Sequence, residues 1–182
     1  MTHVGDPERQ TQHKVIAYFT DQLGYQYLGN WEERANNSNL FAKDLLAFLT
    51  QQGLSEDRAQ IVFTEVQKQS RLNNRSLYEA NKAFYQTLRY GVQRKFAASE
   101  DTQTIPLINW QQPEANIFGI AEEVSVTEKE RTKRPDLVLY VNGIALGVIE
   151  LKSTRNSLEN GIRQSINNQQ PGWIPGFFTT LQ

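Results

Sequence analysis

The stretch that decides the reading is Lys133-Arg134-Pro135-Asp136-Leu137-Val138-Leu139-Tyr140-Val141-Asn142-Gly143-Ile144-Ala145-Leu146-Gly147-Val148-Ile149-Glu150-Leu151-Lys152. Two nearly continuous apolar runs, residues 135–141 and 144–152, meet at Asn142-Gly143. Asn-Gly between two such runs predicts a β-hairpin, because both residues tolerate the positive φ of a tight hairpin turn. The runs do not alternate, so both faces of the strands are expected to be buried, as in the middle of a sheet. Charge is confined to the ends. Asp136 stands at the mouth of the first strand, and Glu150 and Lys152 stand two apart near the end of the second, projecting from one face. A carboxylate buried there is costly unless it is paired or bound to metal.

Register sets a condition on any joint site. With a strict two-residue turn at Asn142-Gly143, Asp136 pairs with Ile149, and Asp136 and Glu150 fall on opposite faces. An odd-length loop or a β-bulge brings them to the same face. Glu150-Leu151-Lys152 is the only acid-x-Lys triplet in the chain. Taken alone, these residues also fit a solvated ion pair worth about 1 kcal/mol or less, and their types leave both readings open.

Toward the N-terminus the pattern is helical. Asp6-Pro7-Glu8 starts a helix that carries Val15, Ile16, Phe19 and Leu23 on one side and stops at Gly24. Residues 39–52 and 55–70 form a second and a third. Ser76-Leu77-Tyr78-Glu79 is a capping box that opens a fourth, running to about Tyr90. After Gly91, residues 91–97, 104–109 and 116–127 are rich in β-branched and aromatic side chains and predict strands. Beyond the hairpin, Asn156-Ser157-Leu158-Glu159 caps a helix with Leu158, Ile162 and Ile166 on one face, and residues 177–181 predict a further strand. The chain therefore divides into a mainly helical part, residues 1–90, and an α/β part, residues 91–182. Together they form one compact domain, expected to be a fragment of a longer chain because it ends inside a candidate strand.

Bulk properties narrow the chemistry. With 182 residues, 38% hydrophobic and 21% charged, the chain can bury a core and is not broadly disordered. No apolar run reaches the length of a membrane span, no secretory signal is present, and a cytoplasmic location is expected. The absence of cysteine excludes disulfides and thiolate zinc sites. His3 and His13 are the only histidines, so a Ser-His-Asp triad or a histidine metal cluster is a poor candidate. Phosphate-cradling Gly-rich motifs are absent. The net charge of −1 gives no global basic field for DNA. Bases do concentrate between Lys129 and Arg163, seven against four acids, which fits local contact or a solvated mixed surface. Asp, Glu and Lys without histidine suit Mg²⁺, which takes oxygen ligands and needs few from the protein, with lysine offsetting charge on a phosphate.

The Pro135-Asp136 pair followed by Glu150-Leu151-Lys152 resembles the PD-(D/E)xK nuclease motif, and the twenty-residue block around it is similar to the nuclease block of type I restriction-modification endonuclease (R) subunits. Leu23-Gly24-Tyr25, residues 81–92 and Asn116-Ile117-Phe118 extend the resemblance over nearly the whole chain. It implies a restriction-endonuclease-like core, a mixed central sheet flanked by helices, with an additional N-terminal helical part. It further implies Mg²⁺-dependent cutting of double-stranded DNA, with Asp136 and Glu150 as metal ligands and Lys152 assisting the water. Gln164 matches the family's Gln-x-x-x-Tyr motif, whose tyrosine position here holds Asn168. Asn160, Gln164 and Asn168 form a polar line on that helix. Glu8 is a further candidate near the site. The implied partners are duplex DNA and the methylation and specificity subunits, with ATP used only by a C-terminal motor of the full-length subunit. Rival readings are a non-catalytic nuclease-like module that positions DNA or docks on a motor, and the nuclease of a repair or anti-phage helicase.

Overall fold

The structure is a computed structural model that describes residues 6–151, 162–163 and 166–182. Helix α1 (Asp6–Asp21) leads into strand β1 (Gln26–Asn30), and three helices follow: α2 (Ala42–Gln51), α3 (Glu56–Gln69) and α4 (Leu77–Tyr90). The capping box at Ser76 is formed, with Glu79 N–H donating to Ser76 Oγ and Ser76 N–H to the Glu79 carboxylate. Strands β2 (Val92–Arg94) and β3 (Gln103–Ile105) make a small antiparallel ribbon. After the 3₁₀ turn Pro113–Ala115 come β4 (Phe118–Glu122), β5 (Val126–Glu128), β6 (Arg131–Lys133), β7 (Leu137–Val141) and β8 (Ile144–Ile149).

The central sheet has the order β1-β4-β7-β8. Its β1–β4 pair is parallel, and the β4–β7 and β7–β8 pairs are antiparallel. The mixed sheet with helices around it is the α/β arrangement expected from the sequence. The mainly helical first 90 residues thus supply an edge strand, β1, that the sequence reading did not foresee. Gln26–Asn30 is short, carries Gly29 at φ 99°, and shifts register between Tyr27 and Gly29, so it shows no period-two signal. At the opposite edge, β8 is covered. Leu40 bridges Ile144, Ala145 N–H donates to Asn39 O, Thr180 Oγ1 donates to Ala145 O and Gln182 N–H donates to Leu146 O. Covering an edge removes a template for pairing with other chains.

Two apolar cores result. One gathers Leu45, Leu49, Val62, Val66, Phe84 and Leu88 of α2, α3 and α4 with Ile105, Leu107 and Ile144. The other joins Trp31, Val138, Tyr140 and Ala145 to Ile174, Phe177 and Phe178. Helix α1 is held through an aromatic chain, with Phe19 edge-on to Tyr25 at 4.9 Å and Tyr25 on Phe118 at 5.2 Å.

Two expectations near the C-terminus are corrected. Residues 177–181 are not a strand: Phe177–Thr179 is a 3₁₀ helix. Pro175-Gly176 starts a tight turn in which Phe177, Phe178 and Thr179 N–H groups donate three residues back, to Ile174, Pro175 and Gly176. The expected apolar face of the preceding helix is also turned around. Ile162 is 52% and Ile166 50% exposed, whereas Asn168 of the polar line is 1% exposed. Leu158, Asn160 and the capping segment 156–159 lie outside the described residues.

Candidate active site

The hairpin turn is built as its residue types dictate. Asn142 has φ 49° and Gly143 φ 73°, both left-handed, and Val141 pairs with Ile144 across a two-residue turn. That turn alone would put Asp136 and Glu150 on opposite faces. The register then shifts: Tyr140 pairs with Ala145, but Leu139 pairs with Gly147, leaving Leu146 as a bulge. Beyond the bulge every β7 residue faces a partner one position later, and Leu137 pairs with Ile149. One step further sets Asp136 opposite Glu150, on one face. The same-face condition is therefore met by a bulge within β8, with the loop kept at two residues.

Both carboxylates stand just outside their strands, and both are partly shielded from solvent. Asp136 Oδ2 accepts the Leu151 N–H at 2.6 Å. This charge-assisted bond clamps the backbone immediately after Glu150. Glu150 Oε1 is buried. Lys152 and Gln164 lie outside the described residues.

A third acid stands beside Asp136, and sequence reasoning missed it. Glu123 follows β4 at φ 51°, its N–H donates to Asp136 O at 2.8 Å, and Val124 N–H donates to Pro135 O at 3.1 Å. Burial pushes the Glu123 carboxyl up, and the neighbouring Asp136 and Glu122 charges add to this, against the Gln12 hydrogen bond and Arg9. The only sequence signal was the Glu122-Glu123 doublet, hidden inside the expected strand 116–127. Helix α1 reaches this end through Gln12, 6% exposed, whose Nε2 donates to Glu122 Oε2 at 3.0 Å and Glu123 Oε1 at 3.2 Å. Glu8 lies one helical turn before Gln12 on the same side of α1. Arg134 Nε pairs with Glu123 Oε2 at 2.9 Å, and its Nη1 pairs with Glu32. Tyr27 donates to Glu122 Oε1 at 2.7 Å, and burial with that carboxylate pushes its hydroxyl up to about 12.

The donor chemistry at this end is hard oxygen. Among the described residues no group of three or more His, Cys, Asp or Glu side chains is arranged to hold a metal. Two carboxylates at neighbouring strand ends would suffice for Mg²⁺, which keeps waters and takes only one or two protein carboxylates. Asp136 and Glu150 fit that requirement by type and by register.

A mixed sheet flanked by helices, with a carboxylate-bearing hairpin at one end, places the chain in the restriction-endonuclease-like fold class. The chain belongs to the family described as type I restriction enzyme R protein N terminus, whose model matches residues 6–182. It is also similar to a putative type I restriction enzyme MjaIXP endonuclease subunit of Methanocaldococcus jannaschii, 30% identical over 109 residues. That match covers 57% of this chain and spans about 10% of the relative's length. No solved structure matches. No helix among the described residues is long and apolar enough to cross a membrane.

Proposed function

We propose that this chain is the nuclease domain of a type I restriction enzyme R subunit. It hydrolyses phosphodiester bonds of double-stranded DNA at a site made by Asp136, Glu150 and Lys152, with Gln164 as a further candidate from the motif. The observation that supports the reading is the bulge at Leu146, whose register, continued one step past the Leu137–Ile149 pair, would set Asp136 and Glu150 on one face. Bulges are common beside active sites, where they re-aim a side chain.

Asp136 and Glu150 are the residues that would hold Mg²⁺. Bound there, the ion supplies Lewis-acid chemistry at the phosphate and activation of water. Asp136 also holds the main chain directly after Glu150 through Leu151 N–H. Lys152 offsets charge developing on the phosphate and orients the attacking water. DNA translocation by ATP and sequence reading belong to other parts of the enzyme, the motor and the specificity and methylation subunits.

The test is cleavage of supercoiled plasmid by the reconstituted complex with Mg²⁺ and ATP, comparing the parent with Asp136→Ala and Lys152→Ala. Removal of one preorganised charge is expected to slow cutting about a hundredfold or more, with ATP hydrolysis retained. Equal cutting by the parent and both variants would make the hairpin a purely structural strand pair.

A further inference from the structure

The β5–β6 hairpin, residues 72–77 and residues 169–175 enclose an open groove of about 800 Å³ that the proposed site does not use. β5 and β6 form a ribbon of their own, outside the central sheet. Arg131 and Lys133 stand two apart on β6 and so project from one face. The Trp173 indole lies against both: Lys133 Nζ is 3.9 Å and Arg131 Cζ 4.7 Å from the ring centre. A ring quadrupole attracts cations. Here it holds two like charges side by side and limits their rotamers before any ligand arrives.

The remaining groove charges are two cations, Arg75 and Lys129, and two acids, Glu128 and Glu130, so the excess of positive charge comes from β6. Arg75 is held by main-chain carbonyls of Leu72 at 3.2 Å and Arg71 at 3.0 Å, and its charge also acts on the Glu79 carboxylate. Lys129 is exposed in the hairpin turn. Of the two acids lining the groove, Glu128 turns inward and accepts Gly176 N–H at 3.1 Å and Phe177 N–H at 2.7 Å, while Glu130 stands in the turn. β6 ends at Lys133 and Asp136 follows three residues later, so about 10 Å of chain or less separates Lys133 from the candidate site, and Arg131 lies two residues further back.

We infer that the β5–β6 ribbon is a contact surface for the phosphate backbone of duplex DNA next to the candidate cleavage site, with Arg131 and Lys133 as its cations and Trp173 as their support. The assignment rests on the nuclease reading for the identity of the polyanion. A ring face already occupied by cations is not open to a stacked base, so the contact is to phosphates and carries no sequence preference. It also reconciles a net charge of −1 with DNA, since the contact is local.

The experiment is anisotropy titration of a fluorescein-labelled duplex with the 182-residue chain in EDTA, between about 50 and 200 mM KCl. The variants are Arg131→Ala with Lys133→Ala, Trp173→Leu, and, as a control for lost charge elsewhere, Lys82→Ala with Lys95→Ala. Removing two phosphate contacts is expected to make the slope of log K against log salt shallower by about 1.8. Trp173→Leu is expected to weaken binding several-fold with the slope nearly kept, because the charges remain and only their support is lost. The control pair is expected to follow the parent. An unchanged slope in the ribbon variant, or an equal change in the control, overturns the assignment and leaves the groove to a protein partner. Binding is read without Mg²⁺, so its failure is distinct from a failure of Asp136→Ala to reduce cutting.

Discussion

The Asn142 side chain is fully buried and makes three hydrogen bonds. Its Oδ1 accepts Ile117 N–H at 2.7 Å, and its Nδ2 donates to Leu107 O at 2.9 Å and to Asn116 Oδ1 at 2.8 Å. Asn116 in turn donates to Asn109 O at 2.9 Å and accepts Asn109 N–H at 2.8 Å. The residue that turns the hairpin therefore also fixes the entry to β4 and the loop after β3. Asn142→Ala removes partners from three buried groups and loses a side chain tolerant of positive φ, so a loss of about 3 kcal/mol or more is expected by urea denaturation. Asn142→Gly keeps the turn conformation and discards only the network. Its stability should fall between the parent and Asn142→Ala, and stability equal to the parent would mean that the network contributes nothing.

At the scale of elements, the hairpin is where local chemistry and packing agree. A Cβ on Gly143 would lie 2.3 Å from Phe41 O and 2.7 Å from Leu45 N, at φ 73°. Gly143→Ala is thus expected to cost about 2 kcal/mol or more, through left-handed strain and through displacement of the start of α2. A urea midpoint within error of the parent would refute that close approach. The turn was legible because Asn-Gly acts locally, and so were the four helices, whose caps and apolar spacing are local too. The need for an odd loop or a bulge was also legible, from counting pairs. Its position at Leu146 was not, because Asn39, Thr180 and Gln182 bond the neighbouring β8 positions from 35 or more residues away. β1 was missed for the same reason: its strand character comes from pairing with β4 and from Trp31 N–H on Glu122 O, not from its own residues. Of the candidate site, Asp136 and Glu150 could be named from the motif, while the neighbouring Glu123 and Gln12 became visible only once β4 and α1 were brought to the same end.

At the scale of the whole molecule, three buried or half-buried acids share one behaviour. Burial raises the carboxyls of Asp44, Glu123 and Glu128. Asp44 is 6% exposed, and its Oδ2 has no hydrogen-bond partner. A carboxyl whose folded pKa lies above its unfolded value binds more protons in the native state than in the unfolded one. Stability then falls as pH rises. The gain appears as pH drops through the folded values and is complete below the unfolded ones. Glu79 runs the other way: its hydrogen bonds from Ser76 lower it, so what it contributes is lost as pH falls through its folded value, in more acid solution than the first effect. The urea midpoint of the metal-free protein is therefore expected to rise, not fall, as pH drops from neutral through the raised folded values of these carboxyls. Asp44→Asn removes one of the three charges outright. Its midpoint at pH 7.5 should exceed the parent's, and its rise on acidification should be smaller. A parent whose midpoint drops over that interval, or an Asp44→Asn variant as steep as the parent, would show that these carboxyls are ionised in the fold at no cost, which burial at 6% exposure without a partner on Oδ2 does not permit for Asp44.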